Sequence, residues 1–186
     1  MKQKWSVIIG IVVFALVLAG GTIAYNHVRF NGDEKILYSE TPPTNGQNRT
    51  AALDFTMTDI DGNSLRLSDK FGTPIVLNFW ASWCPPCRQE KPDFETVYQD
   101  LGNDVSFVIV NLVGSRGETV ESGMQYINEQ GFTFPVYFDT EQEGSAAYEI
   151  TSIPTTIFID RDSMIAATIS GPLNENRLRQ QIDLIR

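Results

Sequence analysis

The chain has 186 residues with ordinary apolar and charged fractions, which excludes general disorder and leaves room for one domain plus an appendage but not for a second catalytic domain. Its 23 acidic residues against 14 basic ones give a net charge of −9, which excludes the basic stripe that nucleic-acid binding requires and points to solubility instead. Two cysteines and one histidine exclude a framework of several disulfides and leave no His/Cys cluster for zinc or copper.

From Trp5 to Tyr25 no side chain is charged, and the run is long enough to cross a ~30 Å hydrocarbon core as one helix. Lys2 and Lys4 precede it, so the positive-inside rule places residues 1–4 in the cytoplasm and exports everything after Tyr25, although His27 and Arg29 weaken the asymmetry. A cleaved signal peptide is the competing reading, because Val17-Leu18-Ala19 offers small residues to a signal peptidase. The run exceeds the ~7–15 residues of a signal-peptide apolar region, which favours an uncleaved anchor over residues 5–25. No cysteine follows the small residues, so a lipoprotein anchor is not supported. His27 reads as a juxtamembrane surface residue. Residues 26–49 mix Gly, Pro, Asn, Thr and charge without an apolar period and read as a tether. Asn48-Arg49-Thr50 matches a glycosylation sequon, a triplet that arises often by chance.

The folded domain is expected over residues 50–186. Leu53, Phe55 and Met57 alternate with polar neighbours, Asp61-Gly62 supplies a turn, and Leu65 and Leu67 alternate again, which predicts a β-hairpin. Asp59-Ile60-Asp61-Gly62-Asn63 resembles the start of a calcium loop but lacks the Glu twelfth in line, so a plain turn is the better reading. Pro74 to Trp80 is nearly continuously apolar, as a strand buried on both faces would be. A helix from Pro85 to Gln99 follows, then a buried strand from Val105 to Val113, a helix from Glu118 to Glu129 and a strand from Phe134 to Phe138. Thr155–Ile159 and Met164–Ser170, joined across Asp160-Arg161-Asp162, predict a closing antiparallel pair. A last helix over 174–185 carries Leu178, Ile182 and Ile185 on one stripe. Strands alternating with helices, then a hairpin and a helix, indicate an α/β sandwich with a mixed central sheet.

Cys84-Pro85-Pro86-Cys87 lies where a buried strand hands over to a helix, and this placement carries the chemistry. Cys84 takes the N-cap, where its sulfur can accept the amide of Cys87 and feels the positive end of the helix dipole, so its thiolate is stabilised. Attack by that thiolate on a disulfide gives a mixed disulfide that Cys87, one turn away, is placed to resolve. Pro86 suits the start of a helix, while Pro85 removes one more amide around Cys84 and stiffens the loop. A metal site is the competing reading, but a lone C-x-x-C supplies only two thiolates. Pro92 should remove one helical hydrogen bond. Trp80 reads as core.

Asn78-Phe79-Trp80-Ala81-Ser82-Trp83-Cys84-Pro85-Pro86-Cys87-Arg88-Gln89-Glu90 resembles the active-site segment of TlpA/ResA-like thioredoxins, in the AhpC/TSA–Redoxin-like branch of the thioredoxin superfamily. The hairpin, Ile153-Pro154-Thr155 and the N-terminal anchor are similar to that family too, from about Thr50 to the end of the chain. The resemblance implies a thioredoxin fold with an N-terminal β-hairpin and a central insertion. Pro154 falls where the superfamily carries a cis-proline facing the cysteines, Ile153 where a backbone group pairs with a bound substrate strand, and Gly171 at the small residue flanking that groove. Trp83, Pro85 and Pro86 complete the expected substrate groove. Asn78 stands where cytoplasmic thioredoxins place a proton-moving aspartate. Glu90 matches an active-site glutamate and is the candidate substitute acid/base, its plainer reading being a solvated helix charge.

The implied activity is that of an extracytoplasmic thiol–disulfide oxidoreductase of the bacterial cell membrane, without cofactor or metal and working as a monomer. It is expected to reduce exported disulfide proteins such as apocytochrome c and to be recharged by a membrane electron donor resembling the DsbD/CcdA family. C-x-x-C proteins on this scaffold span about −270 to −120 mV, so a disulfide-forming oxidase or isomerase is the alternative. A peroxidase fits less well, because Ala81-Ser82-Trp83 lacks the threonine-containing segment of peroxiredoxins. A non-catalytic docking module leaves both cysteines unexplained.

Overall fold

The computed structural model describes residues 39–40 and 50–186, all within the unit Leu37–Arg186. The expected anchor over 5–25 and most of the expected tether over 26–49 lie outside the described residues; no helix among the described residues is long and apolar enough to cross a membrane. Within the tether stretch, Ser39–Glu40 form a short strand, β1.

The hairpin pairs β2 (Thr56–Thr58) with β3 (Ser64–Arg66), Met57 opposite Leu65. Phe55 and Met57 are buried, but Leu53 is 47 % exposed and does not join the inner face. The Asp59 carboxylate is consumed by the turn, accepting the amides of Asp61 and Asn63 at 2.9 and 2.8 Å and the Asn63 side chain at 2.9 Å. Leu67 opens a 3₁₀ turn over Leu67–Lys70 instead of extending the strand.

Strand β4 (Ile75–Trp80) is buried at every position. It pairs in parallel with β5 (Ser106–Asn111), which pairs in parallel with β6 (Val136–Phe138). On its other side it runs antiparallel to β7 (Thr155–Ile159), itself antiparallel to β8 (Ile165–Ser170). Strand β1 extends the sheet beyond β8, and Thr58 of β2 pairs with Phe138, so the hairpin extends it at the opposite edge. The order is β1-β8-β7-β4-β5-β6-β2-β3, a mixed eight-stranded sheet.

Alternation along β4 explains the continuous burial. Successive side chains point to opposite faces. Val76 and Trp80 enter one apolar cluster with Phe94, Val97 and Leu178, while Ile75, Leu77 and Phe79 enter another with Phe55, Met57 and Val110. Asn78 shares the face of Val76 and Trp80, and this parity aims it at the long helix α1 (Pro85–Leu101). Helix α1 packs on the last helix, α4 (Glu175–Asp183), which Asn174 caps through its side chain and the amide of Arg177 at 2.9 Å.

The stretch between β5 and β7 holds α2 (Val120–Gln130), β6 and a short α3 (Glu143–Ala147), the last of which the apolar pattern does not announce. Helix α2 begins two residues later than predicted: Thr119 and Ser122 form a reciprocal cap, and Glu118 turns inward with 3 % exposure. Pro92 lies inside α1 and cannot donate to the Arg88 carbonyl; the Tyr126 hydroxyl reaches that carbonyl at 3.5 Å from α2.

Candidate active site

Strand β4 ends at Trp80, and four residues later Cys84 caps α1 with extended backbone angles of −85° and 109°. The Cys87 amide donates to Cys84 Sγ at 3.3 Å and the Arg88 amide to the Cys84 carbonyl at 3.1 Å. Pro85 and Pro86 have no N–H, so the first turn leaves no amide orphaned. Cys84 and Cys87 are joined as a disulfide with Cα atoms 5.3 Å apart. Once reduced, the Cys84 sulfur keeps one amide donor and the positive end of a 17-residue helix, both of which favour thiolate over thiol.

Pro85 is exposed at the rim of this turn. Pro85→His restores an amide and adds a nearby cation, which stabilises the thiolate and so the reduced form; Pro85→Glu adds an opposing charge. Glutathione titration should show the potential rising by tens of millivolts in the first variant, about 30 mV or more, and the second lying below it. Identical potentials for the two would remove Pro85 from the account of redox poise.

The Ile153–Pro154 bond is cis, and the Ile153 carbonyl oxygen lies 3.6 Å from Cys84 Sγ. Beside them opens a groove of about 490 Å³. Of the residues expected to form it, Trp83, Pro85, Pro86 and Ile153 do. Pro154 and Gly171 do not reach its wall: Pro154 is buried, and Gly171, with φ of 105°, stands behind it and donates its amide to the Pro154 carbonyl at 2.8 Å. The rest of the wall comes from Leu112, Ser115 and Arg116 after β5 and from Ile150 to Ser152 before β7.

Glu90 is not a solvated helix charge. It is 1 % exposed, and Lys91 beside it is wholly buried. The Asn78 side-chain amide donates to Glu90 Oε1 at 2.9 Å and to Thr156 Oγ1 at 2.9 Å; Lys91 Nζ donates to Asn78 Oδ1 at 2.6 Å and approaches Glu90 Oε1 at 3.4 Å. The Leu173 amide donates to Glu90 Oε2 at 3.0 Å. Lys91 also lies over the rings of Trp80 and Phe94, at 5.1 and 5.0 Å from their centroids. Burial raises the Glu90 pKa above the ordinary carboxylate value, against the opposing pull of Lys91, and burial pushes Lys91 down to about 8, against the pull of Glu90. Glu90 therefore ties α1 to β4 and to the segment after Gly171, one helical turn from Cys87.

A second buried acid holds the turn before Cys84. Glu118 accepts the Ser82 amide at 2.9 Å, the Ser82 hydroxyl at 2.8 Å and the Asn111 side chain at 2.7 Å. Sequence reasoning passed over Glu118 and Lys91 because each follows polar residues in a segment with a good helical pattern; only their partners, 36 and 13 residues away, mark them.

Comparison with known proteins agrees with this site. The family model described as AhpC/TSA family matches residues 49–168. Thiol-disulfide oxidoreductase ResA of Geobacillus thermodenitrificans (strain NG80-2) is 30% identical over 191 residues, covering 100% of this chain and 99% of that protein. Thiol-disulfide oxidoreductase ResA of Oceanobacillus iheyensis is 37% identical over 133 residues, covering 69% of this chain and 67% of that protein. The crystal structure of StoA from Bacillus subtilis superposes with a TM-score of 0.62 at 31% identity, covering 71% of this chain and 98% of that one.

Proposed function

The chain belongs to the AhpC/TSA family and, within it, to the ResA-like thiol–disulfide oxidoreductases, and from that premise we propose that it reduces disulfides of exported proteins outside the cytoplasm, held at the membrane by residues 5–25. The observation that carries the reading is Cys84 at the mouth of a groove, capping α1 and 3.6 Å from the Ile153 carbonyl. The uncharged run from Trp5 to Tyr25, preceded by Lys2 and Lys4, supports the anchor, and the similarity to the Geobacillus relative extends over the whole chain. Apocytochromes awaiting haem are one expected class of substrate.

In the dithiol form the Cys84 thiolate attacks one sulfur of the substrate disulfide. An S–S bond forms between enzyme and substrate, and the other substrate sulfur leaves as thiolate. Cys87 then gives up its proton to Glu90 and attacks Cys84 Sγ; the enzyme disulfide forms, and the second substrate thiolate departs. Two electrons pass to the substrate, and a membrane dithiol donor resembling the DsbD/CcdA family returns them.

Trapping tests this directly. In native membranes Cys87→Ser should accumulate a mixed disulfide with an exported protein, visible as a band that dithiothreitol dissolves and that the double variant Cys84→Ser/Cys87→Ser lacks. Adducts only with cytoplasmic proteins would overturn the extracytoplasmic assignment.

A further inference from the structure

We propose that the groove beside Cys84 selects polypeptide segments carrying an acidic side chain next to the target cysteine, and that Arg116 reads that acid. The inference rests on the groove receiving disulfide substrates and names which of them it favours.

The wall is mixed in polarity: the Trp83 ring and two prolines on one side, Ile150 to Ile153 with the hydroxyl residues Thr151 and Ser152 on another. A chain segment lying along Ile153 would be held through main-chain groups, which every sequence shares, so discrimination falls to the side chains of the wall. Among the described residues Arg116 is the one permanently charged side chain there, and no acid lines the groove, although the chain has 23 acidic residues against 14 basic ones. None of the ion pairs among the described residues uses Arg116.

Its backbone is a second, independent sign. Arg116 has φ 48° and ψ 34°, the left-handed region that disfavours a non-glycine residue and persists only where the surroundings impose it. Here they do. The Trp83 indole donates to the Ser115 carbonyl at 2.9 Å, the Glu118 amide to the same carbonyl at 2.9 Å, and the Gly114 amide to the Glu118 carbonyl at 2.8 Å. The Glu118 carboxylate then fastens this turn to Ser82, two residues before Cys84. The resulting placement lays the Arg116 guanidinium over the Trp83 ring, 4.6 Å from its centroid. A guanidinium stacked by its face keeps the N–H groups of its edge available, and that edge matches a carboxylate in a bidentate pair. The strained turn thus carries a cation to the groove and orients it, in a protein whose net charge of −9 otherwise repels acidic segments.

The test uses short peptides, each bearing a fluorophore-quencher mixed disulfide on one cysteine and differing only in the flanking residue: Asp, Ser or Lys. Reduced wild-type protein should reduce the Asp peptide about tenfold faster in kcat/KM than the Lys peptide in low salt, a ratio that shrinks at 500 mM salt, where screening shortens to about 4–5 Å. Arg116→Glu should invert the ratio and Arg116→Gln should bring it near one. Arg161→Glu changes net charge equally but sits in the β7–β8 turn, at the other end of β7 from Ile153, and should leave the ratio as in wild type. A flat or Lys-favouring wild-type profile overturns the proposal, as does an Asp preference that survives Arg116→Glu. Robust turnover of the Ser peptide that depends on Cys84, with no flank preference, sinks only this inference. Absence of turnover on all three peptides sinks the reductase reading with it.

Discussion

Cys84→Ser should reduce insulin no faster than the dithiothreitol background, whereas Cys87→Ser should complete one attack and stop. The difference follows from position. Cys84 holds the N-cap, the groove edge and the helix dipole together; a serine hydroxyl there has no accessible anion at neutral pH and cannot open a disulfide. Cys87 is wholly buried, with its sulfur bonded to that of Cys84, so its loss removes the resolving step and leaves the first attack in place. Mass spectrometry of the Cys87→Ser reaction should find about one insulin chain bound per protein. Turnover that survives Cys84→Ser would falsify the assignment of Cys84 as nucleophile.

Glu90→Ala should cost the oxidised protein about 3–5 kcal/mol in urea unfolding, the range for leaving one member of a buried ion pair without its partner. Lys91 would keep one acceptor, Asn78 Oδ1 at 2.6 Å, in a site with no access to water. Glu90→Gln with Lys91→Met removes both charges and keeps the volume, and should recover most of that loss. A double-mutant cycle giving no coupling would show that the two side chains are merely neighbours.

The same pair sets a pH signature. For Lys91 the folded pKa, about 8, lies below the unfolded value near 10.5, so between these pH values the unfolded chain binds more protons and stability rises with pH. For Glu90 the folded pKa lies above the unfolded one, so the native state binds more protons just above pH 4.5 and stability falls as pH rises through that window. Relative to the Glu90→Gln/Lys91→Met variant, the wild type should therefore lose stability from about pH 4.5 upward and regain it between about pH 8 and 10.5. The regain should be on the order of 3 kcal/mol. A flat difference across both windows would show that neither group titrates differently in the native state.

Much of the architecture was legible because the two faces of the sheet are both covered. Burial on both sides makes β4 and β5 read as nearly continuous apolar runs, and Gly131 and Asn174 mark helix ends by their own chemistry. Short elements were less legible. Strand β6 is shorter than its apolar run, α3 has five residues, and Ser39–Glu40 form a strand only because the edge of β8 accepts them. Such segments owe their conformation to a neighbour, and no local period records it.

The cysteine pair was determined by the sequence alone: strand, turn, Cys-Pro-Pro-Cys and helix are contiguous, so the N-cap geometry that makes Cys84 a nucleophile follows from order along the chain. What surrounds the pair was decided only by tertiary structure. Strand parity turns Asn78 toward α1, where it meets Glu90 and a lysine that should by its charge have been outside. Folding back of the β5–α2 turn brings Glu118 to Ser82 and Arg116 to Trp83, more than thirty residues away. The physical reason is range: helix caps and dipoles act between neighbours along the chain, whereas desolvation and charge pairing depend on which distant groups share a dry space.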